Sequence, residues 1–64
     1  MTHAEILARL EFLAADNAQM RIAIPQLIDE DEYANAKVLR GCIQANNAEA
    51  RSLKKRLKDE AAAP

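Results

Sequence analysis

Aromatic side chains are almost missing from this 64-residue chain, which has no Trp, one Phe (Phe12) and one Tyr (Tyr33). Glycine occurs once, at Gly41, and proline twice, at Pro25 and Pro64. So little turn-forming material excludes a loop-rich or β-rich fold. The only cysteine is Cys42 and the only histidine is His3, so an internal disulfide and a structural zinc site are both excluded. With one Gly there is no phosphate-cradling glycine motif, and no Ser or Cys is set beside His3 as a nucleophile, so the chain is expected not to be an enzyme and to need no cofactor. No apolar run approaches a membrane span, and the first residues lack a basic stretch followed by an apolar one. A cytoplasmic chain without membrane contact is expected.

Half of the residues are apolar, but 14 of those 32 are Ala. Ala, Leu, Glu, Lys, Arg and Gln fill most positions, and these are helix formers. A chain this short buries too little surface to be very stable alone, and with disulfide and metal excluded, a second subunit is the expected source of further burial.

Thr2 and Glu5 have capping-box spacing, which predicts a helix from His3. From there Ile6, Leu10, Leu13, Asn17, Met20, Ile24 and Leu27 follow alternating steps of four and three, the seam of a helix that packs lengthwise on another. Pro25 interrupts that helix opposite the seam and removes a hydrogen bond to the Arg21 carbonyl, so a kink is expected there. Ending the helix near Ile22 and restarting it at Pro25 is the alternative. The acidic run 29–32 reads as a charged turn rather than a calcium loop, since the Gly such a loop needs is absent. Asp29 with Glu32, or Asp31 alone, is expected to cap the next helix. That helix, about 32–60, carries the seam Ala36, Leu39, Ile43, Asn46, Ala50, Leu53 and Leu57. Gly41 lies within it, permitting a close helix contact or merely tolerated, and residues 61–64 are expected to fray.

The predicted fold is therefore all-α, a single antiparallel two-helix hairpin (about 3–28 and 32–60). Facing seam positions sum to 63, which stacks Ile6 on Leu57, Leu10 on Leu53 and Leu13 on Ala50. The same register brings together the only polar seam residues, Asn17 and Asn46, as a register-fixing pair. It also sets Arg9 near Arg56, Arg21 near Arg40 and Asp16 near Glu49, all like-charged, which points these groups towards another chain or a ligand.

Leu7, Phe12, Ile22, Ile28, Tyr33, Val38 and Cys42 lie outside the seams. A lone hairpin buries one stripe per helix, so Leu7, Phe12, Ile22, Ile28, Val38 and Cys42 are expected at an interface, either a homodimer closing a four-helix bundle, a higher oligomer, or a surface for a different protein. Cys42 reads as a small buried hydrophobe.

Charge is divided unevenly. In residues 1–36, Arg9 and Arg21 stand against seven carboxylates, a balance of −5, whereas in 37–58 seven bases stand against Glu49 alone, a balance of +6. In the second helix Arg40, Gln44, Asn47, Arg51, Lys55 and Lys58 form a stripe opposite the seam. Such a row suits a nucleic-acid backbone or another acidic partner, although no aromatic is interleaved for base stacking, and the plain reading is a solvated face. Arg21 with Arg40 is a candidate clamp for a phosphate-bearing ligand between subunits.

In length, turn position and seam period the architecture resembles the plasmid copy-number regulator Rop, whose helical hairpins pair into a four-helix bundle and bind RNA. No residue motif is shared, so no functional residue is carried over. The sequence thus leads first to the expectation of a non-enzymatic helical hairpin that self-associates and acts on another protein as an accessory, adaptor or inhibitor subunit, such as one encoded by a plasmid or phage. A nucleic-acid-binding hairpin and a binder of a phosphate-bearing ligand follow.

Overall fold

The computed structural model describes residues 1–62, which form two α-helices, α1 (His3–Asp29) and α2 (Tyr33–Ala62), lying against each other as an antiparallel hairpin. At the start of α1 the Glu5 amide donates to Thr2 Oγ1 at 3.1 Å and the Thr2 amide donates to Glu5 Oε1 at 3.0 Å, completing the capping box. The Glu5 carboxyl is held below its ordinary pKa chiefly by that bond from the Thr2 amide. The α1 helix continues through Pro25 to Asp29, so it does not end near Ile22 and restart.

The turn departs from the expected capping. Asp29 is the last residue of α1 rather than a cap for α2. The chain instead leaves α1 through a Schellman motif, in which the Asp31 amide donates to the Ile28 carbonyl (3.1 Å) and the Glu32 amide to the Leu27 carbonyl (2.8 Å). These bonds satisfy carbonyls that the helix end leaves unpaired, but they require a left-handed residue, and Asp31 adopts φ 59°. Its carboxylate accepts a bond from the Tyr33 hydroxyl at 3.0 Å rather than capping α2. The α2 helix runs to Ala62, two residues past its expected end, and residues 63 and 64 of the expected frayed tail lie outside the described residues.

Both seams face inward, and no seam residue is exposed. Ile6, Leu13 and Leu53 form the core, with Leu10, Ala50 and Leu57 packed against them. These six residues are the first three expected layers. The result is a rod of 54 × 15 × 13 Å with a radius of gyration of 15.0 Å, against about 11 Å for a compact domain of this length. Its exposed surface is 4790 Å², whereas a compact 7.1 kDa protein exposes about 4,100 Å². Length without thickness explains the excess, since each helix has one neighbour.

Candidate functional site

At the centre of the rod sits a polar cluster. Asn46 Nδ2 donates to Asn17 Oδ1 at 2.9 Å and to Asp16 Oδ2 at 2.8 Å, while Asn17 Nδ2 donates to Asn47 Oδ1 at 3.0 Å. The expected Asn17 and Asn46 pair is present, and it is larger than the sequence indicated. Asn47, expected on the outer stripe of α2, is half-buried and turned towards α1. Its place one residue past a seam position, in an antiparallel pair, is the signal that finds it. Among the described residues no buried side-chain polar atom lacks a partner.

Successive helical residues are about 100° apart, so residues beside a seam fall on one flank or the other. One flank is closed. There Arg9 Nε lies 2.6 Å from Glu49 Oε2 and Arg9 Nη2 lies 3.0 Å from Glu49 Oε1, a two-pronged ion pair across the helices. The pair lowers the Glu49 pKa and raises that of Arg9, in each case mainly through this hydrogen bonding. The Arg9 guanidinium also stands 5.0 Å from the Phe12 ring centroid. The expected clash of like charges is therefore overturned for Arg9 and for Asp16. The Arg9 side chain reaches Glu49, two turns along α2 from Arg56, instead of meeting Arg56, and Asp16 accepts from Asn46.

The other flank is open. Leu7, Leu10 and Ala14 of α1 and Ala50 of α2 line a groove of about 590 Å³, with Leu13, Asn17 and Asn47 also reaching it. Glu11 and Arg21 stand at the α1 side of this groove and Lys54 at the α2 side. No aromatic side chain lines it. Helical spacing sets Arg40, Arg51 and Lys58 on the same flank of α2 as Lys54. The flank thus carries five cations against Glu11, and all six are exposed. Lys54 lines the groove, whereas Lys55 falls on the outer face of α2.

The six expected interface residues do not form one surface. Leu7 (48 % exposed) belongs to the groove, and Phe12 (56 %) to the closed flank. By helical spacing Val38 (62 %) and Cys42 share the flank of Glu49, and Ile22 (67 %) points away from the seam. Ile28 is half-buried beside Leu27. Cys42 is exposed rather than buried, because only one neighbouring helix is present and its position lies beside that contact, not in it.

Among the described residues no three His, Cys, Asp or Glu side chains converge as metal ligands, and no helix is long and apolar enough to cross a membrane. Comparison with protein-family models, with curated proteins and with solved structures finds no significant match.

Proposed function

We propose that the chain is a non-enzymatic helical hairpin that self-associates and acts by docking on another protein as an accessory, adaptor or inhibitor subunit in the cytoplasm. The observation that carries this reading is the surface excess of the rod. Its 4790 Å² exceeds the compact expectation by roughly 700 Å², close to the roughly 800 Å² that each partner gives to a standard interface. Phe12, Ile22 and Val38, each more than half exposed, are the apolar groups whose burial would drive assembly. A four-helix bundle supplies the second neighbour that each helix lacks. A bend of α1 at Pro25 belongs to the same reading, since Pro offers no N–H to the Arg21 carbonyl and a bent helix wraps more closely around a bundle core.

Light scattering coupled to size exclusion tests the proposal. The expected result is a dimer or higher oligomer that dissociates in Phe12→Asp or Val38→Asp while the helical circular dichroism signal persists. A wild-type monomer at high micromolar concentration would remove the self-association.

A second reading is supported by the exposure of Arg40, Arg51, Lys55 and Lys58, which are without an ion-pair partner among the described residues. It is salt-sensitive nucleic-acid binding along α2. Binding of an RNA or DNA oligonucleotide that is unchanged by joint replacement of Arg51, Lys55 and Lys58 with Ala would eliminate it.

A further inference from the structure

We infer that the open groove between α1 and α2 is a docking site for an acidic amphipathic helix of a partner protein. This rests on the reading that the chain acts by binding another protein, and it names the face and the chemistry of that contact. Three observations select the occupant. The floor is mainly apolar, built from Leu7, Leu10, Leu13, Ala14 and Ala50 with Asn17 and Asn47 also lining it, and the groove volume of about 590 Å³ suits a few apolar side chains from one helix face rather than a folded domain. The groove lies between two helices that run along the rod; its lining on α1 runs from Leu7 to Arg21, about 21 Å at 1.5 Å per residue, and on α2 from Asn47 to Lys54, about 11 Å, so a helix laid alongside would meet two to four turns of it. The surrounding charge is predominantly positive, since Arg21, Arg40, Arg51, Lys54 and Lys58 outnumber Glu11.

That charge decides against the other occupants. A second copy of the chain placed groove to groove would bring ten cations together with two carboxylates, so self-association belongs on a different flank. A nucleic-acid backbone would meet the cations but leave the apolar floor uncovered, with no aromatic side chain there to stack on a base. A helix with Leu at alternating steps of three and four and Glu on either side satisfies floor and rim together.

Two labelled 18-residue peptides test the inference on the full chain by fluorescence anisotropy. Both carry leucines at seam spacing, one flanked by Glu and the other by Lys. The expected result is binding of the Glu peptide alone, weakened about tenfold or more in Arg51→Glu/Lys54→Glu and in Leu7→Gln, weakened by added salt, and unchanged in Phe12→Asp. Equal binding of both peptides, binding of neither, or indifference to the groove substitutions overturns it. A 20-nucleotide single-stranded RNA run alongside separates the remaining case, because RNA binding that ignores Leu7→Gln, with no peptide binding, assigns the flank to nucleic acid and overturns the inference. Light scattering on the same samples keeps this apart from the broader proposal. An oligomer that fails to bind the Glu peptide refutes the groove inference only, and a monomer that binds it refutes self-association only.

Discussion

Asn46 donates one amide hydrogen bond to Asn17 across the helix interface, at 2.9 Å, from the middle of an otherwise apolar seam. Asn17 is 6 % exposed, so slipping α2 by one seam position would set its amide against Ile43 or Ala50 with no partner. An unpaired buried amide costs about 1–3 kcal/mol, which is large against the margin of a small helical hairpin. The pair is therefore expected to select register by penalising the alternatives more than by the strength of its own bond.

Asn17→Ala is accordingly expected to lower stability by about 1–3 kcal/mol in urea unfolding followed by circular dichroism. The double variant Asn17→Leu/Asn46→Leu is expected to recover that loss while relaxing register, seen as additional cross-peaks in amide NMR spectra. A double variant with one sharp set of resonances would show that the apolar layers alone determine the alignment.

Asp31→Gly is expected to stabilise the hairpin. An L-residue in the left-handed region costs roughly 1 kcal/mol, less for Asp than for most, and glycine is free of that cost. Among the described residues, the side-chain hydrogen bond surrendered is the exposed one from the Tyr33 hydroxyl. Thermal melts should move upward by a few degrees for Asp31→Gly and downward for Asp31→Val. No change in either variant would mean that the left-handed turn is not formed in solution.

Much of this hairpin was legible because one device repeats. Alternating steps of four and three named every fully buried residue among those described on both helices, and the capping box named the start of α1. Alignment by a constant sum then put Asn17 against Asn46, because in an antiparallel pair every layer constrains every other. The turn was misread, since Asp29, Asp31 and Glu32 all have side chains suited to capping a following helix, and sequence spacing does not reveal which backbone amides the preceding helix claims. The flanks were misread for a different reason. Pairing positions by height along the rod sets Arg9 beside Arg56, but a long Arg side chain leans along the rod rather than standing level, and Glu49, two turns from Arg56 on the same flank, supplies the opposite charge. Asn47 was assigned to the outer stripe because its spacing from Arg40 and Arg51 fits a basic row equally well. Only the contact with Asn17 separates the two assignments.

Gly41→Ala is expected to stabilise the chain by about 1 kcal/mol, since a Cβ built there has no atom within 4 Å and the residue lies inside α2. That corresponds to a rise of about 4–8 °C in melting temperature for a domain of this size. Of the two sequence expectations for this glycine, the single chain supports toleration rather than close packing. Loss of stability in Gly41→Ala, together with a smaller assembly by light scattering, would instead place a second chain against this face of α2.

Stability should fall on acidification, and the direction follows from two carboxylates whose folded pKa values are depressed. Glu49 is lowered by its hydrogen bonds from Arg9, and Glu5 by the Thr2 amide, both from the ordinary glutamate value of 4.5. A depressed folded pKa means that the unfolded chain takes up the proton first, so each contribution is complete above pH 4.5 and is lost as pH falls through the lower folded value. Melting temperatures should therefore be level between pH 6 and 5 and decline below 4.5. Both groups face solvent, so the decline is expected to be shallow, and shallower still in 0.5 M salt for the Glu49 component, which is an ion pair. Glu49→Gln keeps an acceptor but not the charge, and should lower the melting temperature at pH 6 while leaving it near the wild-type value at pH 3. An equal loss at both pH values would show that Glu49 supports the interface by packing and not by its bond to Arg9.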